Sequence, residues 1–292
     1  MRRIAFCLAS LVAHALGANH FAGIATSNGI GGTSTYTCRT QAQWNTIASD
    51  AKDNGFKSIR VVGFDCDALN RASLAATANG LTILAGIYYS GSVASNSAAI
   101  SNDMHIFHTA YSKYGASRYV GLTVGNEASD SASNIAAKVN DVKKYLRSVG
   151  VATPVSTVHS WTTIRDNPIL CGGDFVAANA HAFYDGLVRA DQTGDFVFKT
   201  AVPALKKACP GKKVMITESG WPSRGTSNKA AIPTISNEIL ALLSLNCACR
   251  DDTSVAVYAF EYDDQNWKQN DNERSFGLFG KLAVNQDILS AC

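Results

Sequence analysis

Two glutamates stand where short apolar runs end. Val214-Met215-Ile216-Thr217 delivers Glu218, and the run from Val120 to Val124 delivers Gly125-Asn126-Glu127. Both runs are too short for helices and carry β-branched residues, so each reads as a buried strand with a carboxylate at its mouth. A carboxylate there costs free energy unless something pairs it or uses it. Glu218 alone could be a solvated loop acid, because Gly220 and Pro222 break the chain just beyond it. Asn126 and Glu127 alone could cap a helix starting near Ser131. Together the two acids are what cleavage of a glycosidic bond requires: one protonated to donate to the leaving oxygen, the other ionised to attack or to activate water. Asn126 would then hydrogen-bond a sugar 2-hydroxyl as the transition state forms.

Such a pair needs elements that bring positions 127 and 218 to one place. Short β-branched runs recur along the chain at His20 to Ala25, Ser58 to Val62, Thr82 to Ile87, Val120 to Val124, Pro154 to Val158, Phe175 to Ala180, Lys213 to Thr217 and Val255 to Phe260. Amphipathic stretches alternate with them, clearest at Gln41 to Asn54, Ala68 to Asn79, Asn96 to Tyr114, Ser131 to Val149, Phe196 to Cys209 and Ala230 to Leu245, several closed by glycine. Only the fifth crossover, Thr162 to Leu170, looks short. Eight strand-helix units predict an α/β fold with a single (β/α)8 TIM-barrel domain, a doubly wound open sheet being the alternative. In a barrel, functional groups gather at the C-terminal strand ends. Those ends carry Tyr88-Tyr89, Asn126-Glu127, His159-Ser160-Trp161, His181 with Phe183-Tyr184-Asp185, Glu218 to Trp221, and Glu261-Tyr262. Acids, amides, imidazoles and rings without Lys or Arg suit a neutral, hydroxyl-rich ligand.

Composition narrows the rest. Met1-Arg2-Arg3 and the apolar stretch Ile4 to Ala13, followed by Ala15, Gly17 and Ala18, predict a secretory signal over residues 1–18 and a catalytic barrel over 19–292. No other apolar run is long enough to span a bilayer. The net charge of +3 falls to +1 once Arg2 and Arg3 leave, with no basic stripe, so neither nucleic acid nor a membrane is expected as partner, and no protein partner is evident. No Asn-x-Ser/Thr sequon occurs. Gly29-Ile30-Gly31-Gly32 follows a strand but precedes polar turn residues, not a helix, so a dinucleotide site does not follow. Cys247-Ala248-Cys249 has no second ligand pair, so no metal and no cofactor are expected.

The motifs Val124-Gly125-Asn126-Glu127, Thr217-Glu218-Ser219-Gly220-Trp221-Pro222-Ser223 and Phe276-Gly277-Leu278-Phe279 resemble those of glycoside hydrolase family seventeen, the β-1,3-glucan-active enzymes. Asp174-Phe175 through His181, and Trp267-Lys268, extend the resemblance over essentially the whole mature chain. It is nearest to the fungal cell-wall branch, which holds both endoglucanases and glucanosyltransferases. The resemblance implies a secreted, retaining enzyme using double displacement on β-1,3-glucan, with Glu127 as general acid then base and Glu218 as nucleophile. About 30 residues separate Ala180 from Lys213, too few for the extra subdomain of the plant enzymes. Glu261, Asp264 and Lys268 lie where the plant pattern has Asn-Glu-Asn and a Lys. Transfer to a sugar is favoured slightly over hydrolysis as a plain endo-β-1,3-glucanase. A non-catalytic glucan-binding or wall-structural barrel is the rival from another class.

Tyr88, Tyr89, Phe183, Tyr184 and Trp221 are expected to line the groove, Trp221 and Tyr88 foremost as sugar platforms. His181 would orient a nucleophile or a sugar, or else belong to the core, and His159 is read as structural. With Cys7 lost in the signal, seven cysteines remain. Barrel topology pairs Cys38 with Cys66 at the catalytic face and Cys171 with Cys209 at the opposite one. Cys292 takes Cys247 or Cys249, leaving one free thiol.

Overall fold

The computed structural model describes residues 18–289 and 292. The expected secretory segment, apart from Ala18, lies outside them. Eight strands close into an all-parallel barrel in chain order, β1 pairing with β8 through Gly23 with Tyr258 and Ile24 with Ala259. They are β1 Gly23–Thr26, β2 Ser58–Val61, β3 Thr82–Ile87, β4 Tyr119–Asn126, β5 Val155–Ser160, β6 Val176–Asn179, β7 Val214–Ser219 and β8 Ala256–Ala259. β7 does not stop before Glu218 but carries it, together with Ser219, inside the strand.

Burial on both faces explains why the strands are near-continuous apolar runs. Inside, Leu84, Val158, Phe175, Ala177 and Tyr258 form a plug, Tyr258 donating to Ser58 Oγ at 3.0 Å. Outside, the larger core packs residues such as Trp44, Ile47, Phe107 and Leu245 from the helices onto the sheet. Thr40 begins the helix Gln41–Asp53 with a capping box to Gln43, and Ser131 caps Ala132–Ser148 by accepting from the Asn134 amide.

Two helices differ from expectation. The last crossover helix is Ile235–Asp251, starting later than Ala230, because Asn228 and Ala231 pair as a tight bridge and Thr234 supplies the cap. The expected helix over Phe196 to Cys209 is a wide π-type turn, Phe196–Ala201, running into Val202–Ala208. Pro203 lies at that junction and has no N–H to continue the regular ladder.

The disulfides are Cys38–Cys66, Cys171–Cys209 and Cys247–Cys292, which resolves the one pairing left open. Cys249 is free and buried in the helix Ile235–Asp251. Burial pushes its thiol well above the usual range, so it is inert in the folded protein. Denatured and unreduced, the chain from Asn19 onward should therefore titrate one thiol, whereas a native titration should find none. Three accessible thiols on denaturation would mean that one of the three bridges does not form.

Candidate active site

Local backbone irregularities aim the two acids. β4 breaks register with β5 between Thr123 and Asn126, and β7 breaks register with β8 between Ile216 and Ser219. Such bulges turn side chains out of strict alternation at barrel rims. Gly125 adopts φ 83° and Glu127 follows at φ 53°. The first conformation suits glycine; the second strains a glutamate and is held by its amide, which donates to Val158 O at 2.8 Å. Because Ser131 caps the helix beyond, Asn126 and Glu127 are free of that duty. After Glu218, Gly220 lies against the Phe260 carbonyl, where an added Cβ would come within 2.0 Å, so the chain can leave β7 beside β8 only through glycine.

At the barrel mouth these residues form one polar chain. Arg60, from the middle of β2, donates through Nη1 to Glu218 Oε1 at 2.5 Å and through Nη2 to Asn126 Oδ1 at 2.8 Å. Asn179, at the end of β6, donates to Glu127 Oε1 at 3.0 Å and to Asn126 Oδ1 at 3.3 Å, while its own Oδ1 accepts from Thr217 at 2.8 Å. His181 Nε2 stands 3.5 Å from Glu218 Oε2. Asn126 Oδ1 thus has two donors, leaving its Nδ2 to donate to a ligand hydroxyl.

Burial works against the charged form of Glu218. The Arg60 guanidinium, with His181 and Lys268 behind it, outweighs burial and holds the carboxyl down at about 2. Glu261, buried after β8, is instead pushed up to about 7 by burial, although Lys268 Nζ lies 2.9 Å from its Oε1 and opposes the rise. Lys268 also lies over the Phe260 ring at 5.0 Å. It belongs to the wall of the site, bridging Glu261 and Glu273.

The cleft above has two halves that share Glu127, Asn179, Glu218, Phe260 and Glu273. One, of about 460 Å³, runs past His181, Tyr184, Trp161 and Phe196. The other, of about 770 Å³, runs past Asn126, Glu261, Lys268, Tyr88 and Trp267. Of the expected rings, Tyr88 and Tyr184 are half exposed and line one half each. Tyr89, Phe183 and Trp221 do not face the cleft. Tyr89 is buried under Gly125. Trp221 is 0 % exposed, its ring set edge-on against Phe183 at 5.3 Å and its Nε1 donating to Ile232 O at 3.0 Å. The Gly220-Trp221-Pro222 turn carries the indole inward, where it supports the loop after Glu218 instead of offering a platform. Trp221→Phe should consequently cost about 0.5–1.5 kcal/mol of stability by losing one hydrogen bond, since Asn237 Nδ2 still donates to Ile232 O at 2.8 Å, without raising KM for a glucan. A raised KM at unchanged denaturation midpoint would restore the platform role.

His159 is buried at Thr157, and burial lowers its pKa to about 4, in keeping with a structural part. The residues missed from the sequence are Arg60 and Asn179. The signal for Arg60 was present: a lone cation in the buried run Ser58-Ile59-Arg60-Val61 demands a buried anion.

Comparison with known proteins fits this geometry. Residues 26–278 match the BtgE/BtgC glycoside hydrolase domain. The chain belongs to that family. The cell surface mannoprotein MP65 of Candida albicans is 36% identical over 73% of this chain and 55% of its own length. A probable family 17 glucosidase of Saccharomyces cerevisiae is 31% identical over 80% of this chain and 58% of its own length. The family-seventeen assignment suggested by the motifs of this BtgE/BtgC-type chain therefore holds, and the chain spans about half the length of the curated relatives it matches. A solved β-1,3-glucanosyltransferase of Rhizomucor miehei, an active-site mutant in complex with laminaritriose, shares the fold: TM-score 0.78, 20% identity, 94% of this chain and 99% of that chain. A second solved structure, of a glycoside hydrolase family 17 β-1,3-glucanosyltransferase from Rhizomucor miehei, gives TM-score 0.75 and 21% identity over 89% of this chain and 92% of that one.

Proposed function

We propose that this chain is a secreted, retaining β-1,3-glucan-active enzyme that transfers the cleaved glycosyl group to a sugar acceptor. The observation that carries the reading is the buried Glu218 carboxylate, held ionised by Arg60, in a cleft that Glu127 also lines. In the first step Glu127 protonates the glycosidic oxygen while Glu218 attacks the anomeric carbon, releasing the leaving chain and forming a glycosyl-enzyme ester. In the second, Glu127 takes the proton from an incoming hydroxyl, which displaces Glu218 and restores both groups. Asn126, whose Oδ1 already has two donors, donates through Nδ2 to the 2-hydroxyl of the bound glycosyl unit in this reading. Since Asn126 lines only the larger half, that half takes the glycone, and the half with Trp161, Tyr184 and Phe196 takes the leaving chain and then the acceptor.

Water in place of the acceptor gives an endo-β-1,3-glucanase by the same chemistry. The ring-lined acceptor half favours transfer, because a sugar stacked there excludes water from Glu127. A defined laminari-oligosaccharide distinguishes them: products longer than the donor are expected, and shortened products alone would assign hydrolysis. A non-catalytic glucan-binding barrel is disfavoured by the energy spent keeping Glu218 charged in a buried place, which binding neutral sugar does not need. Binding with no new products would support that reading instead.

A further inference from the structure

Behind Phe276, which lines the smaller half of the cleft, the structure places an ammonium that no reacting group touches. Lys281 follows the Phe276-Gly277-Leu278-Phe279 motif and lines neither half. Its Nζ donates to Ser223 Oγ at 2.8 Å, to Asp264 Oδ1 at 2.9 Å and to Ser275 O at 2.9 Å. Those three bonds use every hydrogen an ammonium has. Glu238, fully buried in the helix Ile235–Asp251, brings Oε2 to 3.1 Å from Nζ but without hydrogen-bond alignment. Burial pushes its carboxyl up to about 8. Near neutral pH it is mostly protonated, and Asp264 answers the Lys281 charge.

The three acceptors stand on the two segments that frame the nucleophile. Ser223 belongs to the loop after Glu218, and its amide donates to Ser275 O at 2.8 Å. Asp264 lies in the loop after Glu261; its Oδ1 also accepts from the Gly277 amide at 2.9 Å, and its Oδ2 accepts from Arg224 Nη1 at 2.7 Å. The backbone is thus held on both sides of Phe276, whose own carbonyl accepts from the Glu261 amide at 2.9 Å. The Phe276 ring meets His181 edge-on at 5.4 Å, and Phe260 meets the same imidazole at 5.1 Å. That imidazole is the group 3.5 Å from Glu218 Oε2.

We infer that Lys281 is a positioning residue for the nucleophile: by gathering Ser223, Ser275 and Asp264 on one ammonium it fixes Phe276 against His181, and thereby the imidazole against Glu218. An ion pair serving stability alone would ask for one anion beside Lys281. The ammonium instead gives two of its three bonds to neutral oxygens, one from each segment. A close-packed ring transmits such a constraint, since neighbouring side chains have no free volume to absorb a shift.

This inference rests on the glucan-active reading, and one arm of its test is independent of that reading. Lys281→Met removes the ammonium. Lys281→Met/Glu238→Leu removes it together with the buried carboxyl, which supplies a folded protein without Lys281 even where the single change unfolds the chain. Nuclear magnetic resonance of the imidazole Cε1–H, assigned by its loss in His181→Gln, reads the place of the ring among Phe260, Phe276 and Tyr184. In each folded variant that signal should move from its native position toward that of an exposed histidine. Per folded molecule, kcat on a laminari-oligosaccharide should fall about 10–100-fold, as for a reacting group misplaced by a fraction of an ångström to about 1 Å. KM should stay within about twofold of native, because the lost effect belongs to the transition state. A native ring signal in a folded variant, a displaced signal with native kcat, or a loss confined to KM would overturn the role. A native enzyme inactive on every donor would bring down the glucan-active reading, while the ring signal would still decide whether Lys281 places His181.

Discussion

Glu127→Gln should lower kcat/KM on β-1,3-glucan by about 10²–10⁴-fold, and Glu218→Gln should lower it further. The two losses differ in kind. A glutamine at 127 keeps the contact with Asn179 in altered form but cannot give up a proton to the glycosidic oxygen. An aryl glucoside whose leaving group needs no proton should therefore recover much of its first-step rate in this variant. A glutamine at 218 has no charge with which to attack, so a better leaving group recovers nothing. Pre-steady-state release of the phenol from both variants reads the difference directly. Recovery by Glu218→Gln and not by Glu127→Gln would exchange the two roles.

Arg60→Met should be nearly as damaging, and it acts on stability as well as on turnover. Arg60 is 1% exposed and lies against a carboxylate that is itself buried. Removing one partner of a buried pair leaves the other charge uncompensated, at a cost of about 3–5 kcal/mol. That is a large part of the roughly 5–15 kcal/mol that holds a protein folded. The pH dependence carries the signature. In the native protein the Glu218 pKa lies below its ordinary value, so the stability it contributes is present above pH ~4.3 and is lost as pH falls toward about 2. In the variant burial is opposed only by His181 and Lys268, without the larger Arg60 contribution, and the pKa rises. The folded variant then takes up a proton more readily than its unfolded chain, and the penalty shrinks as pH falls. Denaturant midpoints of both proteins at neutral pH and near pH 4 should converge on acidification, and the acidic limb of the activity profile should move to higher pH in the variant. Parallel midpoints at both pH values would show that Arg60 is not what keeps Glu218 charged. Arg60→Lys should recover part of the charge effect but not the bond to Asn126, because an ammonium cannot hold two acceptors in the fork geometry of guanidinium.

The barrel and its two acids were legible because each rests on a short-range signal: β-branched runs, glycines after helices, and Glu at a strand mouth. Lys268 with Glu261 was also locatable, being a short loop apart after β8. What the sequence did not disclose depends on direction. Trp221, beside Glu218, looked like a platform, yet a tight turn at Gly220 sends the indole into the core toward Phe183 and the Ile232 carbonyl. Tyr88 and Tyr89 are adjacent just beyond β3, where the chain exposes the first and tucks the second under Gly125. Arg60 lies in mid-strand, away from the strand ends where barrel chemistry gathers, and its long side chain reaches the rim through the barrel interior. Helix starts followed caps, not composition: Thr234 set the last one, later than its run of small residues suggested.

The central claim is that Glu218 becomes covalently bonded to the sugar during turnover. A 2-deoxy-2-fluoro glucosyl donor with a good leaving group forms the glycosyl-enzyme and slows its breakdown, since the fluorine disfavours the second transition state. Peptide mapping of the trapped protein by mass spectrometry should find one added fluoroglucosyl group, on the peptide holding Glu218. The group on another residue, or unmodified protein that still turns the donor over, would contradict the account.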